Sequence, residues 1–323
     1  MRNLCPCGSG KKYKNCCYKP KDDNKIVKLQ PKIKSPVGPK KVLYSILKKT
    51  EKSKGNNKIT SIDDKRFEKD MEKDINSLLS DDKNEQERAH AIYTERQRRF
   101  SYFWDAVIDF SEFDDWYHIV KASEAKYMPD YPPLSPVTVS HFYSWIYVDL
   151  RFGKEQVTLG EVYQELFKKY GDDEHRLELI DNFNKSSMRI YEITYRDKAH
   201  NFVWLKDIIT NEEHKAYSTS GYTGHKIGEL WLIRLLPPPF NLVNYGVIFT
   251  TPYVLIRRTK DDWIASVKKE IKKTKIEDTE EAYKYFMKYG LNNRYWNEFI
   301  TNSYFNYQGD AIFLGCLLQE RLH

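Results

Sequence analysis

Hydrophobic and polar residues follow a helical period along most of the chain beyond residue 63. Apolar residues recur three or four positions apart, with charged residues between them, which is the pattern of amphipathic helices. The pattern predicts helices at residues 67–78, 92–108, 138–150, 158–167, 177–183, 263–271, 283–287 and 296–300.

Three local features refine this helical pattern. The basic run at 96–99 interrupts the second apolar stripe, and we expect it to lie on a solvated face. Four prolines between residues 129 and 136 predict a segment without helix. Thr158 and Glu161 have the spacing of a capping box, which predicts that a helix begins there.

From residue 188 the period changes to the alternation that is typical of strands. Strand-like runs occupy residues 188–195, 202–205, 229–236, 247–249 and 254–256. Five or six short strands joined by polar turns predict a small antiparallel β-barrel or curled sheet. Trp204, Trp231 and Tyr245 fall in this region, so a ligand-binding barrel remains open as one interpretation.

The two periods together predict an α+β fold made of several segments. Residues 61–186 form a helical region, residues 187–258 a small antiparallel β domain, and residues 259–323 a C-terminal helical region. Residues 19–60 are rich in lysine and proline and have few large apolar residues. Such a segment cannot bury enough apolar surface to offset its ordering entropy, so we expect it to be a flexible basic linker. It would join a separate module at 1–18 to the folded body at 61–323.

Composition and the absence of long apolar runs bear on the expected cellular location. Of the 323 residues, 40% are hydrophobic, which is enough for most of the chain to fold. No apolar run is long enough for a transmembrane helix, and the N-terminus has no hydrophobic signal-peptide core. We therefore expect a cytoplasmic protein.

The positive charge is concentrated at one end. Residues 1–60 contain 17 Lys and Arg against 3 Asp and Glu, a balance of 17 − 3 = +14, whereas the whole chain carries +7. The remaining residues therefore total 7 − 14 = −7. A basic end of this kind suits phosphate-rich or acidic partners, and the alternative is a solubilising tail.

Four of the five cysteines fall within the first seventeen residues. Cys5 and Cys7 are separated by one residue, and the adjacent Cys16 and Cys17 follow after eight more. Four thiolates in one short segment suit a closed tetrahedral zinc site, whose metal must supply the folding free energy because the segment has almost no core. A disulfide or redox module is the alternative, which strained geometry and a cytosolic location disfavour.

Residues 5–17, with the sequence CPCGSGKKYKNCC, closely resemble the SEC-C motif, a zinc-binding element named after the C-terminal tail of the motor subunit of the bacterial preprotein translocase. The resemblance covers residues 3–18. It implies one structural Zn²⁺ held by Cys5, Cys7, Cys16 and Cys17. In the translocase the element contacts a secretion chaperone and the ribosome from the far C-terminus; here it opens the chain, so the resemblance does not identify the partner.

We expect a non-enzymatic adaptor, in which the zinc module and the basic tether bind a macromolecular partner. That partner would be the ribosome, another RNA or an acidic protein surface. The candidate partner-binding residues are Lys11, Lys12, Lys14, Lys19 and Lys21. The alternative is an enzyme with its site in residues 140–260 and a zinc module that serves only for targeting. No phosphate loop, nucleophile elbow or dinucleotide fingerprint supports that alternative.

Overall fold

The structure is a computed structural model that describes most of the chain between residues 83 and 289. The described ranges are 83–110, 118–124, 136–152, 156–170, 174–219, 226–238, 243–255 and 258–289. The helices predicted at 67–78 and 296–300 lie outside them, as do the module at 1–18 and the linker at 19–60.

Six named helices confirm the remaining helical predictions. They are α1 (Glu85–Phe110), α2 (Pro136–Val148), α3 (Leu159–Tyr170), α4 (Glu174–Lys185), α5 (Lys260–Lys272) and α6 (Thr279–Tyr289), and a short helical segment spans 118–124. The expectation that Pro136 lies outside helix was wrong, because α2 begins at this residue. Proline is favoured at the first helical position, where its missing N–H loses no intrahelical hydrogen bond.

Two capping boxes fix the starts of α3 and α5. The Thr158 amide donates to Glu161 Oε2 at 2.7 Å, and the Glu161 amide donates to Thr158 Oγ1 at 3.2 Å, so the capping box predicted there is confirmed. Thr259 and Asp262 form a second box at α5. Each box satisfies two backbone donors that a helix start leaves without intrahelical partners.

Six strands form one sheet that closes on itself. They are β1 (Met188–Asp197), β2 (Phe202–Asp207), β3 (Glu213–Tyr217), β4 (Leu230–Leu236), β5 (Gly246–Ile248) and β6 (Tyr253–Leu255). The order is β1-β2-β3-β5-β4, and β4 returns to pair with β1. β6 is an additional strand that pairs with β4. The predicted small β-barrel is thus confirmed as a closed five-stranded barrel with one extra strand.

The barrel is not wholly antiparallel, which corrects the prediction. β3 and β5 are parallel, with Ala216 opposite Gly246 and Tyr217 opposite Val247. Five strands cannot alternate in direction all the way round a closed ring, so at least one neighbouring pair must be parallel. The β3–β5 pair is the parallel one in this barrel, and topology alone assigns no function.

Strand alternation divides the buried residues between the barrel interior and its outer faces. The interior contains Tyr191, Ile193, Val203, Leu205, Ala216, Trp231, Ile233, Ile248 and Val254. The outer faces of β1 and β4 carry Ile190, Leu230 and Leu232, which join one cluster with apolar residues of α2, α4, α5 and α6. The helices and the barrel therefore bury the two faces of the same strands.

Helix α1 covers a different part of the barrel. Ala89, Ile92 and Tyr93 pack in one cluster with aromatic residues of β2 and β3 and with residues at the start of β5: Phe202, Tyr217, Tyr245 and Val247. Arg96 is buried on this helix and donates from Nη2 to the Pro237 carbonyl at 2.7 Å. The expectation that the basic run at 96–99 is solvated was wrong for Arg96, because its hydrogen-bonded guanidinium lies at the contact with the barrel.

Replacing Gly246 by alanine should destabilise the closed barrel. An added Cβ would lie 2.7 Å from the Leu236 carbonyl oxygen and 3.0 Å from Leu235 Cδ1, so β4 and β5 would have to separate. We expect a loss of about 1–3 kcal/mol in the free energy of unfolding, measured by urea denaturation. Gly228→Ala, where no neighbour lies within 4 Å but φ is +88°, tests backbone strain alone. A Gly246→Ala protein as stable as the wild type would contradict the close approach.

Candidate functional site

The residues predicted from sequence to carry function lie outside the described ranges. This applies to the predicted metal ligands and to the predicted partner-binding lysines: Cys5, Cys7, Cys16, Cys17, Lys11, Lys12, Lys14, Lys19 and Lys21. Within the described ranges, no group of three or more His, Cys, Asp or Glu side chains is placed to hold a metal ion. The candidate metal site of this chain therefore rests on the N-terminal cysteines.

The donor set of that segment fits a metal that binds thiolates. Four thiolates suit Zn²⁺ in tetrahedral coordination, and a Zn(Cys)₄ centre carries a net charge of −2. Lys11, Lys12 and Lys14 lie between the two cysteine pairs in the sequence, so their positive charge would offset that of a metal centre held there. These side chains therefore suit both the metal and an anionic partner.

A buried charged cluster lies where β4 meets the helices. The Arg234 guanidinium forms an ion pair through Nη2 with Asp149 Oδ2, and both side chains are fully buried. Arg234 also donates from Nε to Ser144 Oγ at 2.8 Å and from Nη1 to the Ser186 carbonyl at 3.1 Å. One side chain on β4 thereby contacts α2 and the residues that follow α2 and α4.

Lys288 adds a second cation to this cluster. Its Nζ lies 3.5 Å from Asp149 Oδ1 and donates to the Asn184 carbonyl. Burial lowers the pKa of Lys288 to about 8; the charge of Asp149 opposes the shift, and that of Arg234 adds to it. Two cations therefore share one carboxylate in a place without solvent contact, so we assign the cluster a structural role.

His141 is a buried neutral histidine beside the same cluster. Its Nε2 lies 2.7 Å from the Thr251 carbonyl oxygen, and its ring centroid lies 4.0 Å from that of Tyr253. Burial lowers the pKa of His141 to about 3; the Thr251 contact opposes the shift, and the charge of Arg234 adds to it. A carbonyl can only accept a hydrogen bond, so Nε2 carries the proton of the neutral ring.

The barrel interior is filled by side chains, and the three residues named for a ligand-binding barrel are divided between this interior and the cluster under α1. Trp231 is fully buried among the interior residues. Tyr245 belongs to the cluster under α1, and Trp204 packs against that cluster on the outer surface. The described strands thus form a packed core in which these residues line no common site.

Sequence reasoning did not identify Asp149, Arg234, Lys288 or His141. The one available signal was Arg234, a charged residue inside the otherwise apolar strand LWLIRLL. A buried charge in such a run requires a buried partner. Spacing could not reveal the partner, because Asp149 lies 85 positions away along the chain.

Comparison with known proteins identifies only the N-terminal segment. The family model of the SEC-C motif, a metal-binding motif, matches residues 1–19. No curated protein and no solved structure matches the chain. In the part of the chain that the structure describes, no helix is both long and apolar enough to cross a membrane.

Proposed function

We propose that this protein is a non-enzymatic adaptor whose N-terminal zinc module and basic segment bind an anionic macromolecule. The observation that carries the proposal is the SEC-C match over residues 1–19. All four closely spaced cysteines lie within that match. The body between residues 83 and 289 would present the module and supply a second contact with the same partner.

Zinc would act here as a structural metal. Cys5, Cys7, Cys16 and Cys17 would hold it, and its binding free energy would fold a segment that has almost no core of its own. The folded module would give the lysines between its cysteine pairs a fixed arrangement. A flexible basic chain alone discriminates poorly among anions, so the module would add selectivity to a contact made through charge.

Removing the zinc ligands should abolish both metal content and selective partner binding. We expect one zinc per full-length chain and none in a chain carrying Cys7→Ser and Cys16→Ser, measured by elemental analysis. The body should keep its unfolding transition, because the altered residues lie far along the chain from its core. A metal-free wild-type protein, or full zinc content in the double variant, would overturn the proposed site.

A salt titration tests the charged contact separately. Each lysine that neutralises a phosphate of single-stranded RNA changes the slope of log K against log salt by about −0.7. Replacing Lys11, Lys12 and Lys14 with glutamine should therefore make the slope about 2 units shallower. Polyglutamate is titrated in the same way, as a probe for an acidic protein surface in place of RNA. If RNA binding is unchanged in this triple variant, these lysines are not the contact.

A further inference from the structure

We propose that a cleft between α2, α3 and α4 is the docking site of the chain's own C-terminal segment, with Trp296 as the side chain that enters it. The docking goes beyond the proposed function, because it concerns the body alone and requires neither the zinc module nor an anionic partner. Three features of the body support it: the apolar walls of the cleft, an unsatisfied hydrogen-bond acceptor in one wall, and the place where α6 ends.

The cleft is small and apolar. It encloses about 300 Å³ of empty space, counting its open mouth. The end of α2, the start of α3 and the end of α4 form its walls, with side chains that include Tyr147, Val148, Tyr163, Ile180 and Phe183. Pockets for small-molecule ligands span about 300–1,000 Å³, so this cleft lies at their lower limit and suits a single side chain. Its walls favour an apolar ring or chain as the occupant.

One wall of the cleft carries an unsatisfied hydrogen-bond acceptor. Asn184, which also lines the cleft, donates from Nδ2 to Gln164 Oε1 at 3.4 Å, whereas its Oδ1 is buried and accepts no hydrogen bond from any described residue. Oδ1 lies against the bare Cα of Gly160, another lining residue, only 2.0 Å from the place that a Cβ would take. A buried acceptor without a donor costs stability. The occupant that fits best is therefore an apolar ring that carries an N–H or O–H donor.

Helix α6 ends beside the cleft. Lys288 Nζ donates to the Asn184 carbonyl, and the Arg151 guanidinium carbon lies 3.5 Å from the Tyr289 ring centroid. The last two residues of α6 therefore contact the end of α4 and the segment after α2, next to residues that line the cleft. After Tyr289 the sequence continues for 323 − 289 = 34 residues. The chain thus leaves the described body next to an apolar cleft.

The segment after α6 has a side chain of the required kind. Trp296, Phe299 and Ile300 are spaced three and four residues apart, so the helix predicted there would carry them on one face. Trp296 follows Tyr289 by seven residues, a path of about 10 Å as a helix and at most about 24 Å as an extended chain. Its indole N–H is a donor and matches the acceptor of Asn184. Trp296 would therefore fill the cleft, and Phe299 and Ile300 would cover its mouth.

The test uses full-length chains and a fluorescent peptide of residues 290–304. In the wild type the chain's own segment fills the cleft at an effective concentration of about millimolar, so the added peptide should bind weakly. Trp296→Ala leaves the cleft vacant, and this chain should bind the wild-type peptide about tenfold more tightly than the wild-type chain does. Fluorescence anisotropy measures both affinities. Tyr295→Ala, which removes the neighbouring ring of the same segment, is the matched control and should bind the peptide as weakly as the wild type.

Trp296→Phe tests the hydrogen bond and retains a ring. Loss of one hydrogen bond weakens docking about fivefold, so this chain should bind the wild-type peptide about threefold more tightly than the wild type does. In chains that also carry Asn184→Ala, Trp296→Phe should not change the peptide affinity, because the acceptor is absent. Since the phenyl ring still fills the cleft, this variant tests the docking even if Trp296→Ala does not fold.

Three results would overturn the docking. They are equal peptide binding, or none, by the wild type and both Trp296 variants; an effect of Tyr295→Ala as large as that of Trp296→Ala; or a wild-type dimer that Trp296→Ala dissociates in light scattering. The last result would assign the cleft to the segment of a second copy. None of these measurements involves zinc or RNA, so they succeed or fail independently of the proposed function.

Discussion

Replacing Asp149 by asparagine should lower the free energy of unfolding by about 3–5 kcal/mol. The carboxylate is the anion that Arg234 and Lys288 share, and all three side chains are buried. Without it, two positive charges would remain in a place with little solvent to hydrate them. Urea denaturation of the full-length protein at pH 7 measures the loss.

The surface pair between Lys185 and Asp181 provides a matched control. Its atoms approach to 2.5 Å, but the side chains are 68% and 31% exposed, and exposed pairs contribute about 0–1 kcal/mol. Asp181→Asn should therefore change stability little. A loss below about 1 kcal/mol in Asp149→Asn would show that the buried cluster is not what joins α2 and α6 to β4.

The stability that Asp149→Asn removes should depend on pH, and this dependence identifies the cause of the loss. Asp149 opposes the lowering of the Lys288 pKa, so its removal should lower that pKa further. The folded state would then release the Lys288 proton at a lower pH than the unfolded state does. Stability rises with pH wherever the unfolded state binds more protons, so the loss should be smaller at pH 9.5 than at pH 7.

Most secondary-structure elements could be predicted from sequence because periodicity reports burial directly. The stripe Trp263, Val267 and Ile271 marks the buried face of α5, and the alternation in β1 marks the two faces of that strand. β3 escaped prediction because its sequence EHKAY has three polar residues on a partly exposed surface. Its partners β2 and β5, rather than its own pattern, determine that it is a strand.

Closure of the sheet and the placement of Arg96 could not be predicted for a different reason. The barrel closes through the pairing of β1 with β4 and of β3 with β5, which are contacts between distant parts of the chain. Arg96 has the charge of a surface residue, yet its partner is the Pro237 carbonyl, 141 positions away. Local pattern gives no information on long-range partners of this kind.

The candidate metal site, unlike the placement of Arg96, depends on residues that are close together in the sequence. Its residues could be proposed from sequence because a metal site in a segment with little core is specified by donor type and short spacing. The exposure of the Tyr195 ring could not be predicted from sequence, because the bulge between Ile193 and Tyr195 breaks the alternation that assigns residues to faces. A site can thus be predicted from sequence where its ligands are close together along the chain. The exposure of a side chain is harder to predict where strand register decides which face of the sheet it lies on.

Acid should unfold the protein partly through His141. Between the usual histidine pKa of 6.5 and the folded-state value of about 3, the unfolded chain binds a proton that the folded protein does not. Stability therefore falls as the pH drops from 6.5 towards 3, by up to about 1.4 kcal/mol per pH unit and roughly 5 kcal/mol in total. Urea denaturation at several pH values between 7 and 4 measures this slope.

His141→Phe isolates the contribution of that proton. The phenyl ring keeps an aromatic contact with Tyr253 but cannot donate to Thr251, so the variant should lose about 1–3 kcal/mol at pH 7. Below pH 6.5 its stability should fall less steeply than that of the wild type, because it has no imidazole to protonate at this position on unfolding. Parallel slopes for the wild type and His141→Phe between pH 6.5 and 4 would contradict a neutral, buried His141.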